Sequence, residues 1–223
     1  MTNINLLPSY PAPSWPELTR VLDALVGISA DFQIDLVDGE FVPHTSWPFT
    51  EPGITAALEQ LSPYRDQYVL EFDCMVQAPE QYLDRLVAAG AKRVIVHYGS
   101  TNTYEDIKAH SDQHGYALGL AVTLDVPLAE IIGHLPYVSY VQVMGIAKVG
   151  QQGQPFDERT LTRIQELKQH NPQLPIAVDG GVNATTIPAL VKAGADQLAP
   201  GSAITKETDP VAAYKQLQTL LAS

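Results

Sequence analysis

Leu86-Val87-Ala88-Ala89-Gly90-Ala91-Lys92-Arg93-Val94-Ile95-Val96-His97 puts a helix end, a turn and a strand into one short run. The helical pattern opens at Pro79 and its apolar stripe closes at Ala89. Gly90 can take the left-handed conformation that ends helices, because it has no Cβ to clash. Arg93–His97 is then a short β-branched run, as strands buried on both faces are. From Leu190 the motif returns as Leu190-Val191-Lys192-Ala193-Gly194-Ala195, 104 residues after Leu86. A doubled half-barrel gives such an echo, and so does the commonness of helix–Gly–Ala–strand junctions. In both readings it marks two junctions from helix to strand.

Outward from these junctions the same alternation fills the chain. Strands are predicted at Ile4–Leu7, Phe32–Val37, Tyr68–Cys74, Arg93–His97, Ala117–Thr123, Tyr140–Met144, Ile176–Val178 and Gln197–Ala199. Amphipathic helices are predicted at Trp15–Leu25, Glu51–Leu61, Pro79–Ala89, Tyr104–Gln113, Leu128–Leu135, Asp157–His170, Ala184–Ala193 and Val211–Leu221. Eight strands alternating with eight helices predict a parallel sheet with right-handed crossovers, closed as a (β/α)8 TIM barrel. No linker, low-complexity tract or composition break divides residues 1–223, so one domain is expected. Pro8, Pro11, Pro13 and Pro16 read as a stiff loop after the first strand.

The chain of 223 residues carries 25 acidic and 13 basic side chains, a formal net charge of −12. That balance disfavours nucleic acid and anionic membrane surfaces, which require clustered Lys and Arg. No 18-residue apolar stretch predicts a membrane span. Met1–Pro8 lacks the basic and apolar regions of a secretion signal. The lone Cys74 can form neither an internal disulfide nor a Cys-based zinc site, which fits a cytoplasmic protein. So strong an acidity sits awkwardly with an anionic substrate.

In such a barrel the site lies at the C-terminal strand ends. Three aspartates fall there: Asp35, Asp73 and Asp179. Loop capping explains any one of them; three at equivalent strand ends point to a site. Convergent carboxylates hold a cation through oxygen, or move protons as an acid–base pair. Glu71 and Asp73 point the same way, into the barrel or out of it. The second constellation is glycine: Gly150 and Gly153 after strand six, Gly180 and Gly181 after strand seven, and Gly201-Ser202 after strand eight. Backbone N–H groups of such loops bind phosphate, and glycine lets them approach it. His97, ending strand four, reads as a donor behind the site or as a satisfied core histidine. His44, His110, His114, His134 and His170 show no ligand spacing. Trp47 and Phe49 are candidates for a subunit contact or a lid.

The chain resembles the ribulose-phosphate 3-epimerase family over nearly its whole length. The resemblance rests on Pro8-Ser9, on Asp35-Leu36-Val37-Asp38-Gly39-Glu40-Phe41-Val42-Pro43, and on Met75-Val76 with Pro79-Glu80-Gln81-Tyr82. Ala89-Gly90-Ala91 with His97, Val178-Asp179-Gly180-Gly181-Val182-Asn183, and Ala193-Gly194-Ala195-Asp196 with Gly201-Ser202-Ala203-Ile204 complete it. It implies a ribulose-phosphate-binding barrel, an oligomer, and a substrate that is a small phosphorylated sugar. The implied reaction inverts C3 of a phosphorylated ketose through an enediolate. Asp35 and Asp179 would move the protons, one ionised and one protonated. Ser9 would touch the substrate, Met75 and Met144 would line the enediolate, and the glycines with Ser202 would hold the phosphate.

The chain departs from the family at the metal. The family's two His and two Asp become Gln33, Asp35, Asp73 and Asp179, an oxygen-rich set. Such a set suits Mg²⁺, Mn²⁺ or Ca²⁺ better than zinc. The implied cofactor is a divalent ion (Mg²⁺, Mn²⁺, Fe²⁺ or Zn²⁺), with loss of the metal as the alternative. Val37 stands at a further family Met position. The loop Ala147–Gln154 is longer than the family's, and its Lys148 reads as a cation that balances the extra carboxylate or is simply solvated. A non-catalytic phosphosugar-binding homologue, and an isomerase or lyase acting on a different sugar phosphate, are the alternative functions.

Overall fold

The structure, a computed structural model, describes residues 4–150 and 152–222. Gln151 of the sixth-strand loop and Met1–Asn3 of the segment read for a secretion signal lie outside the described residues. Nine parallel strand segments form one sheet: β1 (Asn5–Leu6), β2 (Ser9–Tyr10), β3 (Asp31–Val37), β4 (Val69–Met75), β5 (Ala91–His97), β6 (Ala117–Val122), β7 (Tyr140–Met144), β8 (Ile176–Asp179) and β9 (Gln197–Ala199). β1 pairs with β9 while β2 pairs with β3, so β1 and β2 are one barrel strand that closes the ring. The chain between them carries closure on both sides, with Leu7 N–H donating to Leu198 O and Gln33 N–H to Pro8 O. Pro8 has no N–H for the ladder, which divides this strand into two assigned segments. The expected (β/α)8 barrel is the observed one.

Around it run α1 (Trp15–Leu25), α2 (Ile54–Glu59), α3 (Leu83–Ala89), α4 (Tyr104–His114), α5 (Leu128–His134), α6 (Arg159–His170), α7 (Ile187–Ala193), α8 (Ser202–Thr205) and α9 (Pro210–Thr219). Gly90 and Gly194 end α3 and α7 at φ +101° and +108°, the left-handed caps expected of them. Most boundaries shift by a few residues, Glu51–Leu61 for instance shortening to Ile54–Glu59, and two of the shifts have a clear local cause. Pro79–Gln81 is a separate 3₁₀ turn before α3. α7 starts at Ile187 rather than Ala184, because the Asn183 side chain accepts from the Thr185 and Thr186 N–H groups and shapes a turn instead. Trp47 belongs neither to a lid nor to an exposed contact: it is fully buried, its ring 5.3 Å from that of Trp15.

Strand side chains divide by face. Those pointing out to the helices are apolar: Phe32, Ile34 and Leu36 of β3, Leu70, Phe72 and Cys74 of β4, Val141 and Val143 of β7. Those pointing into the barrel include Gln33, Asp35, Glu71, Asp73, His97, Gln142 and Asp179, all buried. The lower interior is an ion-pair layer. Glu71, fully buried, accepts from Arg93 Nε (2.6 Å), Tyr140 Oη (2.9 Å) and Gln197 Nε2 (3.0 Å). Burial still pushes its carboxyl above the usual range, against the pull of Arg93.

Removing Arg93 would leave Glu71 uncompensated in the barrel interior. Arg93→Ala is expected to lower stability by about 3 kcal/mol, read as the urea-unfolding free energy at neutral pH.

Candidate active site

The parallel register fixes which side chains share a level. Ser9 stands opposite Gln33, Asp35 opposite Asp73, and Met144 opposite Asp179. One oxygen from each of Asp35, Asp73 and Asp179 lies within 4.8 Å of the other two, and all three residues are buried. Glu71 and Asp73 therefore both point inward, in successive layers.

The Gln33 amide joins two of the aspartates. Its Nε2 donates to Asp35 Oδ1 at 2.8 Å and lies 3.3 Å from Asp179 Oδ2. Ser9 Oγ lies 3.4 Å from the other oxygen of Asp179. Asp73 is held on the far side: His97 Nε2 lies 2.8 Å from its Oδ1, and Gln142 Nε2 donates to its Oδ2 at 3.0 Å. Phe41, from the loop after β3, closes over His97 with ring centroids 5.5 Å apart.

This crowding governs protonation. Burial, and after it the charge of Asp179, hold Asp35 well above the usual carboxylate range. Burial and the charge of Asp73 push Asp179 up to about 7, against hydrogen bonds from Gly180 N–H, Gln33 and Ser9. Two neighbouring carboxyls that resist ionisation can hold a shared proton near neutral pH.

Above them opens a cavity of about 240 Å³. Asp35, Asp179, Ser9, Met75, Met144, Gly150, Gly153, Gly180, Gly181, Gly201 and Ser202 all line it. Gln33 and Asp73 lie beneath, with no exposed surface. Gly180 and Gly181 both take positive φ, +91° and +71°, so the turn after β8 is closed to most L side chains. Gln152 reaches over the mouth, donating to Ser9 O and accepting from Thr205 Oγ1, each at 3.3 Å. A side chain on Gly201 would strike Gln152. Lys148 is exposed and does not line the cavity.

The residues present fit a divalent cation. Gln33 Oε1 is buried without a hydrogen-bond partner, on an amide whose Nε2 already sits between Asp35 and Asp179. Turning that amide end for end would add a carbonyl oxygen to the three carboxylates. An all-oxygen set suits a hard ion.

The sequence reading missed Gln142. Its signal was present, a lone amide inside the apolar run Tyr140–Met144. The reading of the histidines needs correction. His110 and His114 stand one helical turn apart on α4, and with Asp84 they place three ligand atoms within 4.8 Å.

Comparisons with known proteins identify the family. A sequence profile described as the ribulose-phosphate 3 epimerase family matches residues 7–205. A ribulose-phosphate 3-epimerase from Aquifex aeolicus is 33% identical over 229 residues, spanning 98% of this chain and 97% of the relative. One from Schizosaccharomyces pombe is 29% identical over 216 residues, spanning 94% and 90%. A crystal structure of 3-hexulose-6-phosphate synthase from Salmonella typhimurium has a TM-score of 0.76 and 17% identity, over 98% of this chain and 99% of that one. At that identity the last likeness shows the barrel fold alone. The length of the profile match and the identity to the Aquifex enzyme show that this chain belongs to the ribulose-phosphate 3-epimerase family, an isomerase-class family.

Proposed function

We propose that the chain epimerises a phosphorylated ketose at C3, ribulose 5-phosphate to xylulose 5-phosphate or a closely related sugar phosphate. The observation that carries this reading is the pair Asp35 and Asp179. They face one small cavity, are linked through Gln33, and are both pushed toward the protonated state.

Inversion at C3 requires a base on one face of the carbon and an acid on the other. One aspartate takes the C3 proton as a carboxylate, and the other returns a proton as a carboxylic acid. The raised pKa values supply the protonated partner near neutral pH. Ser9 holds one Asp179 oxygen, and Gln33 spaces the two carboxyls. Met75 and Met144 give the planar enediolate an apolar, polarisable wall. The Gly180–Gly181 turn and the Gly201–Ser202 segment offer backbone N–H groups to the phosphate.

Gln33, Asp35, Asp73 and Asp179 would hold a divalent ion, Mg²⁺ or Mn²⁺ before Zn²⁺. When bound, it supplies positive charge to the oxygens of the enediolate. The remaining members of the site act on their neighbours. His97 and Gln142 fix the orientation of Asp73, as outer partners of metal-binding carboxylates do.

Proton NMR in D₂O tests the reading directly. With D-ribulose 5-phosphate the C3 proton should exchange for deuterium as xylulose 5-phosphate appears. Asp35→Asn and Asp179→Asn should each lower kcat by at least about 100-fold. No exchange with Mg²⁺, Mn²⁺, Fe²⁺ or Zn²⁺ present would exclude this substrate. Unchanged exchange in Asp179→Asn would exclude its role. Gln33→Ala should raise the Mn²⁺ concentration for half-maximal activity by roughly 10- to 100-fold, read by titrating metal-stripped enzyme.

Stability should carry the same signature once ions are chelated. Both aspartates bind their protons more tightly folded than unfolded. Their contribution is therefore complete below about pH 4, and Asp179's is lost as pH rises through about 7. The urea midpoint in chelator should be lower at pH 8 than at pH 5, and Asp35→Asn should narrow that difference.

A further inference from the structure

The second cluster of metal-ligating side chains lies on the barrel's outer wall, and no residue of it lines the mouth cavity. His110 and His114 occupy successive turns of α4, with rings stacked at 4.3 Å and 24° from parallel. Two imidazoles at this spacing project from one helix face, where they can converge on a single ion. Asp84 comes from the first turn of the neighbouring α3, its Oδ1 3.0 Å from His110 Nε2. One ligand atom from each of the three lies within 4.8 Å of the others.

His110 has the outer partner that a ligating histidine needs. Its Nδ1 lies 3.2 Å from the hydroxyl of Tyr116, a buried residue just before β6. A tyrosine hydroxyl can donate or accept. While Nε2–H donates to Asp84, the hydroxyl donates to Nδ1. With the ring proton on Nδ1, the hydroxyl accepts it and Nε2 presents a lone pair outward. Tyr116 therefore serves both tautomers and fixes the ring plane in each. His114 and Asp84 are exposed and have room to move, while His110 is mostly covered.

From this geometry we propose that Asp84, His110 and His114 form a zinc site that fastens α3 to α4. Two imidazoles and a carboxylate are a set zinc favours, with water completing a tetrahedron. Bonds of about 2.0–2.1 Å place tetrahedral ligand atoms about 3.3 Å apart. Asp84 Oδ1 and His110 Nε2, 3.0 Å apart, already stand near that spacing, and rotation of the exposed His114 side chain brings in the third ligand atom. The site differs in kind from the mouth, where every candidate donor is oxygen. The ion bridges two helices that hydrogen bonding along the backbone does not join, so it binds the folded chain and not the unfolded one.

Equilibrium dialysis against micromolar Zn²⁺, with millimolar Mg²⁺ present, tests this on the full chain. The unmodified protein should hold one zinc more than His114→Ala and one more than Asp84→Asn. Zinc should raise Tm of the unmodified protein by several degrees and of neither variant. Co²⁺ in place of zinc should give the intense visible bands of a four-coordinate site, absent in His114→Ala. Equal zinc content and equal Tm shifts in all three proteins would overturn the proposal. Zinc that is lost only on Asp73→Asn would overturn it too, by placing the ion at the mouth. Because Asp84 and His114 lie outside the cavity, both variants should keep C3 exchange unchanged. A protein that failed the exchange assay but passed these measurements would leave the zinc site standing.

Discussion

Three carboxylates held within 4.8 Å of one another in a barrel interior are the constraint around which this mouth is arranged. Like charges so close, and away from water, cannot all stay ionised without compensation. The ladder leaves no freedom to separate them, since Asp35 and Asp73 are direct register partners on adjacent strands. Relief must come from protons, donors or a cation. The donors are visible: Gln33 toward Asp35 and Asp179, Ser9 and Gly180 N–H toward Asp179, His97 and Gln142 toward Asp73. Protons supply a further part, seen in the upward shifts of Asp35 and Asp179.

The same barrel handles its other buried charge in the opposite way. One layer below, Glu71 is paired with Arg93 and capped by Tyr140 and Gln197, so its acceptors are met within the protein. Gly119 is small because the Tyr140 ring fills the space where its side chain would stand. The buried carboxylate of the lower layer is thus fully partnered. The upper layer keeps an orphaned Gln33 Oε1 and an orphaned Gln142 Oε1. Buried polar atoms without partners carry a free-energy cost that a purely structural layer has no reason to retain. That contrast supports the proposal that the upper layer carries the chemistry, at the end of the barrel where the fold generally has it.

Most of this was legible along the chain, for a physical reason. Crossover connections make each strand end where a loop begins, so Asp35, Asp73 and Asp179 announce themselves as polar ends of apolar runs. The glycines after strands six, seven and eight announce themselves the same way, and all line the cavity. What stayed hidden depends on facing. A strand pattern cannot say whether Glu71 and Asp73 point inward until neighbouring strands are placed. Gln142 was lost inside an apolar run because the outward residues Val141 and Val143 dominate its pattern. Trp47 lies in a loop by sequence and in the core by packing. The split first strand follows from a missing proline N–H, which apolar patterning does not weigh.

The net charge of −12 takes its meaning from the mouth. Backbone N–H groups attract phosphate without adding to the formal count, so an acidic protein can hold an anion. The resemblance implies that two histidine ligands have been exchanged, one for the neutral Gln33 and one for the anionic Asp73. Three carboxylates sum to −3 where two would sum to −2. A divalent ion brings that to −1, and a single proton on Asp35 or Asp179 brings it to zero. The neutral state is then the one with one carboxyl protonated and its partner ionised, as proton transfer across C3 requires. Under this reading Asp73 does more than replace a ligand. In the ion-free chain its charge is, after burial, the largest cause of the upward shift of Asp179.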